Sequence, residues 1–120
     1  MLASLSGCIT TTKPPEKAHY IDTSVQQGKE LIDRGEVFIL DVRTQEEYDA
    51  GHIKGSTLIP VQELDKAINK ILRDGKILVY CMTGHRSALA SEILVNNGFA
   101  EVYNVKGGIV DWTNAGYDVG

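Results

Sequence analysis

The order of apolar runs and helical patterns in this 120-residue chain predicts an α/β domain, with a mostly parallel sheet and helices on both of its faces. Residues 37–40 and 77–80 are uninterrupted apolar runs, which are typical of strands buried on both faces of a parallel sheet. Stretches with helical spacing lie between the apolar runs. Ligands of such sheets bind beyond the carboxyl ends of the strands, so the residues that follow 40 and 80 are the first candidates for a functional site.

The individual elements follow from the same patterns. We predict strands at residues 19–21, 37–40, 57–59, 77–80 and 102–105 and helices at residues 24–34, 44–51, 61–73 and 87–97. Thr44 and Glu47 form a capping box that begins the second helix. We expect Leu89, Ile93 and Leu94 to share the apolar face of the fourth helix.

Composition limits the class of protein. Apolar residues make up 42% of the chain and charged residues 23%, as in one ordinary globular domain. The net charge of -4 and the absence of any block of five like charges argue against a nucleic-acid partner. No apolar run approaches the ~20 residues that cross a bilayer. We therefore expect a domain that binds no nucleic acid, and we separately predict a monomer.

Residues 1–17 differ from the rest of the chain, because they are rich in Ser and Thr and lack a hydrophobic period. We interpret them as a flexible tail or linker and residues 18–120 as the folded domain. The segment Leu5-Ser6-Gly7-Cys8 resembles the lipobox of prokaryotic lipoproteins, although no basic start and no long apolar stretch precede it. Either a truncated signal makes Cys8 a lipidation site and anchors the domain outside the cytoplasmic membrane, or Cys8 has no role and the domain is cytoplasmic.

Cys81 is the strongest candidate for chemistry. It directly follows an apolar strand and precedes a tight turn that leads into a helix. Free backbone NH groups converge on an anion in such a turn, Gly84 lets the backbone curl, and Arg86 adds a positive charge. A free thiol with a pKa of about 8.5 is mostly protonated at pH 7, and these groups favour its thiolate. The alternative is that Cys81 is a small buried hydrophobic residue.

Several motifs occur in a fixed order along the chain. They are Asp41-Val42-Arg43, Glu47-Tyr48, Gly51-His52-Ile53-Lys54-Gly55-Ser56, Ile59-Pro60, the loop from Cys81 to Ser87, Lys106-Gly107-Gly108 and Trp112. Together they resemble a single-domain rhodanese, in register from about residue 21 to residue 119. The resemblance implies a five-stranded parallel sheet and a sulfurtransferase activity that needs neither a cofactor nor a metal.

The resemblance also implies roles for the loop. Cys81 would take a sulfane sulfur from thiosulfate, a persulfide or a polysulfide, and would then pass it as a persulfide to a thiol or to cyanide. The partners would be a small-molecule or protein persulfide donor and a thiol acceptor. The amides of the loop and the Arg86 guanidinium would hold the anion, and the residues that follow Cys81 are Met82, Thr83, Gly84, His85, Arg86 and Ser87.

The residues beside the loop leave alternatives open. Asp41 and Arg43 either brace the pocket or form a buried structural ion pair, and we expect the His85 side chain to point to solvent. The larger tandem-domain thiosulfate enzymes carry basic residues where this chain has Glu47, Met82 and Thr83, so we expect weak binding of thiosulfate.

Two other functions remain open. A cysteine phosphatase or arsenate reductase would also hold an anion in such a loop. Phosphatase loops, however, place five residues between cysteine and arginine, whereas only four separate Cys81 from Arg86. The second alternative is an inactive rhodanese-like domain that serves as a binding or sensor module.

Overall fold

The computed structural model describes residues 19–120, which form five strands and five α-helices. The predictions for residues 1–17, with Cys8 among them, lie outside the described residues. The strands are β1 Ile21–Thr23, β2 Val37–Asp41, β3 Thr57–Leu58, β4 Lys76–Tyr80 and β5 Glu101–Val105. The helices are α1 Val25–Asp33, α2 Gln45–Ala50, α3 Leu64–Ala67, α4 His85–Asn96 and α5 Gly108–Asn114.

The five strands form one sheet in the order β1-β5-β4-β2-β3, and every pairing is parallel. The predicted α/β class with a five-stranded parallel sheet is confirmed. Strands β2 and β4 are neighbours, with Asp41 opposite Tyr80 at their carboxyl ends. The residues that follow these two strands therefore begin side by side at one edge of the sheet, where the sequence predicts the site.

Alternating side chains of the central strands pack on opposite faces of the sheet. Ile77 and Val79 belong to a cluster that includes residues of α3 and α4. Leu78 and Tyr80 belong to a second cluster that includes residues of α1 and α5, with Trp112 among them. The helices thus cover both faces, and Trp112 anchors the last helix in the core.

The helix predicted at residues 61–73 is broken into three short pieces. The α-helical turn α3 lies between two 3₁₀ turns, Val61–Glu63 and Ile68–Lys70. Leu64, Ile68 and Ile71 are all buried in the core. Spacings of three and four residues are compatible with 3₁₀ turns as well as with an α-helix. Within the described residues, no side chain caps any of the three pieces, so no local interaction favours one continuous helix.

Helix α4 corrects the sequence prediction in two ways. It begins at His85, two residues earlier than expected, because Gly84 acts as its N-cap with a φ of +111°. Its buried face carries Ser87, Ala90, Ser91, Leu94 and Val95, whereas Leu89 is exposed to solvent. The polar residues Ser87 and Ser91 thus occupy core positions that an apolar periodicity cannot find.

The first strand also lies two residues later than predicted, at Ile21–Thr23. Its position follows from pairing, since Ile21 lies opposite Tyr103 and Thr23 opposite Val105. Within residues 19–120, no helix combines the length and apolar character that crossing a bilayer requires.

Candidate active site

The turn that carries Cys81 is short. Strand β4 ends at Tyr80 and α4 begins at His85, so Cys81 to Gly84 make the whole connection. His85, Arg86 and Ser87 form the first turn of the helix, where backbone NH groups have no intrahelical acceptor. The predicted loop from Cys81 to Ser87 therefore consists of four turn residues and three residues of the helix terminus, and its free NH groups lie next to the cysteine.

The sulfur of Cys81 lies among hydrogen-bond donors. The backbone NH of Gly84 donates to Sγ at 3.1 Å and that of Ser87 at 3.3 Å. The hydroxyl Oγ of Ser87 lies 3.4 Å from Sγ, so it accepts from the thiol and can turn its own proton toward a thiolate. These contacts converge on one atom, which is the arrangement that favours a negatively charged sulfur.

Two opposing effects set the pKa of Cys81. Burial raises the pKa of the thiol, whereas hydrogen bonds from the Ser87 side chain and from the backbone NH groups of Ser87, Gly84 and Thr83 lower it. The net result is a pKa below the ordinary value of a cysteine. The local fold therefore stabilises the thiolate.

Cys81 is only 1% exposed and packs within a core cluster. Burial of this degree is what the alternative of a small hydrophobic residue requires. The backbone NH groups of Gly84 and Ser87 that donate to Sγ do not fit this alternative, because a purely apolar cysteine has no need of them. The thiol is thus buried, and the NH groups around it favour its thiolate form.

Helix α5 supports the turn from below. The NH groups of Ile109 and Val110 donate to the carbonyl oxygens of Cys81 and Met82 at 2.9 and 3.2 Å. Gly108, at a φ of +59°, lies so close to the turn that an added Cβ would come within 2.5 Å of both carbonyl oxygens. The motif Gly107-Gly108 was recognised in the sequence, but this close contact with the turn was not predicted. The paired glycines are the signal that could have indicated it.

Arg86 lies in the first turn of α4, at the rim of the cysteine turn, and its guanidinium is already engaged in an ion pair. Its Nη1 and Nη2 donate to Oε1 and Oε2 of Glu47 at 2.8 and 2.9 Å, in a bidentate ion pair. The Arg86 guanidinium lowers the pKa of the Glu47 carboxyl to about 2. Glu47 also accepts from the backbone NH of Thr44, which completes the predicted capping box of α2. No local pattern indicates this ion pair, because 39 positions separate its partners.

Asp41 and Arg43 form the buried ion pair that was one of the two alternatives. Nη2 of Arg43 donates to Asp41 at 2.7 Å and to the carbonyl oxygen of Gly51 at 2.8 Å. Asp41 is fully buried and Arg43 is 2% exposed. The pair ties the end of β2 to the segment that follows α2, and Arg43 still lines a cavity beside the turn.

The remaining predicted residues have less direct positions. Thr83 and His85 are exposed, as expected for His85, and only the backbone NH of Thr83 acts on the sulfur. Met82 is half-buried and lines the same cavity as Arg43. His52 stacks on Tyr48 with ring centroids 3.7 Å apart and has an architectural role. Residues 19–120 contain no group of three His, Cys, Asp or Glu side chains that could hold a metal.

The lowered pKa of Cys81 predicts how the thiol reacts. In a Cys8→Ser background, alkylation by iodoacetamide should reach half of its maximal rate at a pH below the ~8.5 of a free cysteine. Because the thiolate is the reactive form, the rate should rise with pH through the lowered pKa and then level off. Ser87→Ala removes the side-chain hydrogen bond to Sγ and should move the midpoint to higher pH.

Ser91→Ala is the matched control for that series. Ser91 is also a fully buried serine on the sheet side of α4, but its hydroxyl has no partner in the described structure. The midpoint should not move in this variant. A midpoint at or above that of a free cysteine in the Cys8→Ser background would contradict the role of the donors around Sγ.

The chain was compared with known proteins. Residues 24–115 match the family model of the Rhodanese-like domain. The chain is 38% identical over 93 residues to the "Putative sulfur carrier protein YrkF" of Bacillus subtilis, and the match covers 77% of this chain and 50% of that protein. It is 29% identical over 113 residues to a tRNA uridine(34) hydroxylase of Yersinia pestis, with 89% of this chain and 31% of that protein covered.

The fold has close relatives among solved structures. The crystal structure of a rhodanese-related protein from Thermoplasma volcanium superposes with a TM-score of 0.77 at 37% identity, covering 84% of this chain and 98% of the other. The chain spans about half the length of YrkF and less of the hydroxylase, so it corresponds to one part of those proteins. The family model matches most of the chain, and the structure has the parallel sheet with the cysteine turn at its carboxyl edge. This chain therefore belongs to the rhodanese-like domain family.

Proposed function

We propose that this domain is a sulfurtransferase that carries a sulfane sulfur as a persulfide on Cys81. The observation that carries the proposal is the convergence of the Gly84 and Ser87 NH groups on Sγ at the end of a central strand. Such donors stabilise negative charge on sulfur both before the reaction and after it, because a persulfide is also an anion near neutral pH. Sulfur-transfer chemistry is also consistent with the similarity to the "Putative sulfur carrier protein YrkF".

The reaction divides into two displacements. The Cys81 thiolate, its proton already lost to solvent, attacks the sulfane sulfur of the donor. A new S–S bond forms, and the donor's own S–S bond breaks with its electron pair leaving on the departing group. In the second step the thiolate of an acceptor, or cyanide, attacks the outer sulfur, and Cys81 departs as a thiolate. No electron donor or acceptor is needed, since the electrons balance within each displacement.

The residues around the turn have supporting roles in this proposal. Gly84 and Ser87 hold the charge on the sulfur, and the NH of Thr83 adds to it. The Arg86–Glu47 pair fixes the helix terminus against α2, while Asp41 and Arg43 hold the end of β2 beside it. A monomer with a small-molecule or protein persulfide donor and a thiol acceptor, and without nucleic acid, stays our prediction.

The test is direct detection of the intermediate. After incubation with excess thiosulfate or an organic thiosulfonate, mass spectrometry of the intact protein should show one added sulfur, and peptide mapping should place it on Cys81. Cyanide or a thiol should remove that sulfur. Cys8 is the internal control, because a nonspecific reaction would modify both cysteines. Persulfide on neither cysteine with any donor would contradict the proposal and favour a binding module.

A further inference from the structure

Both arginines at the rim of the cysteine turn already have carboxylate partners. Arg86 donates through two nitrogens to the two oxygens of Glu47. Arg43 donates through Nε and Nη2 to Asp41 and uses Nη2 again for the carbonyl oxygen of Gly51. Each guanidinium therefore directs two of its nitrogens at a carboxylate. The two positive charges are balanced by two negative charges.

The cavity beside the turn is mostly apolar. It encloses about 300 Å³, and Arg43 and Glu47 are the charged residues among those of residues 19–120 that line it. Its other walls include Ala50, Met82, Ile109, Val110 and Val119. Glu47 lines this cavity and also pairs with Arg86, whereas Arg86 is not among the described residues that line it, so the cavity is bordered by the carboxylate and not by the guanidinium.

The charge of an incoming anion determines how favourably it binds at this site. Removing an ion from water costs more as its charge increases, and only an unpaired cation or hydrogen-bond donors in the site offset that cost. The NH groups around Sγ can stabilise one negative charge. A dianion such as thiosulfate brings a second charge to a rim where the Arg86 guanidinium is already paired with Glu47.

Building on the proposed function, we propose that Glu47 determines donor specificity by occupying Arg86, so that the site selects donors that combine a single negative charge with an organic group. Thiosulfonates and organic persulfides have this chemistry, and their organic group fits the apolar walls beside Met82. Inorganic thiosulfate is the disfavoured donor. Glu47 acts through Arg86 and is a specificity-determining residue without touching the reacting sulfur.

The test compares two donors in which the same kind of bond breaks. In both thiosulfate and an arenethiosulfonate, the sulfane sulfur is bonded to an oxidised sulfur, and this S–S bond breaks during transfer. The leaving group is sulfite for thiosulfate and a singly charged sulfinate for the thiosulfonate. Glu47→Gln keeps the size of the side chain and an oxygen that can accept from Thr44, and it removes the charge that holds Arg86. Initial rates of cyanide-dependent sulfur release give kcat/KM for each donor.

We expect wild-type protein to favour the thiosulfonate. In Glu47→Gln, the ratio of kcat/KM for thiosulfate to that for thiosulfonate should rise about tenfold, which corresponds to about 1.4 kcal/mol. The gain should appear in KM for thiosulfate. It should also decrease as ionic strength rises, because a freed guanidinium at a partly exposed rim is screened by salt.

Glu46→Gln is the matched control. Glu46 is the adjacent residue of α2 and is exposed, and its side chain has no hydrogen bond within residues 19–120, so this change alters the net charge equally without releasing Arg86. The donor ratio should stay at the wild-type value. Equal gains in Glu46→Gln and Glu47→Gln would attribute the effect to net charge and overturn the proposal.

Other outcomes separate this proposal from the proposed function. If Cys81 gains sulfur from both donors but the donor ratio is the same in wild type and Glu47→Gln, the specificity role is wrong and the sulfurtransferase stands. The same holds if Glu47→Gln loses activity with both donors while its thermal unfolding is unchanged, since the pair would then only hold the turn. If neither donor loads Cys81 in wild type, the proposed function itself fails.

Discussion

A Cys81→Ala variant is expected to lose sulfur transfer entirely, down to the uncatalysed rate, with a small change in stability. The sulfur of Cys81 is the atom on which the Gly84 and Ser87 NH groups converge, and no other described cysteine can replace it. Removing one buried sulfur from a cluster of larger side chains should cost about 1–2 kcal/mol of unfolding free energy. Cyanide-dependent sulfur release and thermal unfolding measure the two effects.

Cys81→Ser separates the nucleophile from the packing. The hydroxyl keeps nearly the same shape and can still accept from the two NH groups, but its much higher pKa leaves it protonated and unreactive at neutral pH. We expect this variant to fold like wild type and to transfer no sulfur. Cys8→Ser should retain full activity. Activity in either Cys81 variant, at a level comparable to wild type, would refute covalent catalysis at this residue.

The main architecture of the domain was predictable because burial leaves a direct trace in the sequence. Residues 37–40 and 77–80 are apolar without interruption, and both become central strands covered by helices on two faces. The strand ends that follow them then had to lie at one edge of the sheet, which is why Asp41, Arg43 and Cys81 could be named as site candidates.

Contacts that depend on tertiary placement could not be predicted in the same way. The first turn of α2 and the first turn of α4 approach each other only because β2 and β4 are neighbours in the sheet. From the sequence, Glu47 indicates only that a basic residue of the tandem-domain enzymes is absent here. In the structure, Glu47 has a further role, because it forms an ion pair with Arg86. The start of α4 was placed at Ser87, because the N-cap role of Gly84 depends on backbone geometry and not on a capping side chain.

Gly108→Ala is expected to be the most damaging change outside the cysteine itself. A Cβ at this position would lie 2.4 Å from the carbonyl oxygen of Met82 and 2.5 Å from that of Cys81, so α5 must move away from the turn. The hydrogen bonds from Ile109 and Val110 to those carbonyls would weaken or break. With the added strain of a φ of +59°, we expect a loss of about 2–4 kcal/mol in unfolding free energy.

Gly116→Ala provides the matched control, because it carries a similar backbone strain without the collision. Gly116 has a φ of +86° and lies just beyond the end of α5, and no atom of the described part of the chain would lie within 4 Å of an added Cβ. Its cost should be only the ~1–2 kcal/mol of the left-handed conformation, with persulfide formation unchanged. The difference between the two variants therefore measures what the close approach of Gly108 to the turn contributes.

The Gly108 variant should also alter the chemistry of the thiol at temperatures where it remains folded. Once α5 no longer holds the carbonyls of Cys81 and Met82, the NH groups of the turn lose their fixed aim at Sγ, and the pKa of Cys81 should rise toward that of a free cysteine. Alkylation would then reach its midpoint at higher pH, and persulfide formation should slow at least tenfold. If Gly108→Ala instead matched Gly116→Ala in unfolding temperature, alkylation midpoint and persulfide rate, α5 would have no part in organising the site. The thiolate would then depend on the helix terminus at Gly84 and Ser87 alone.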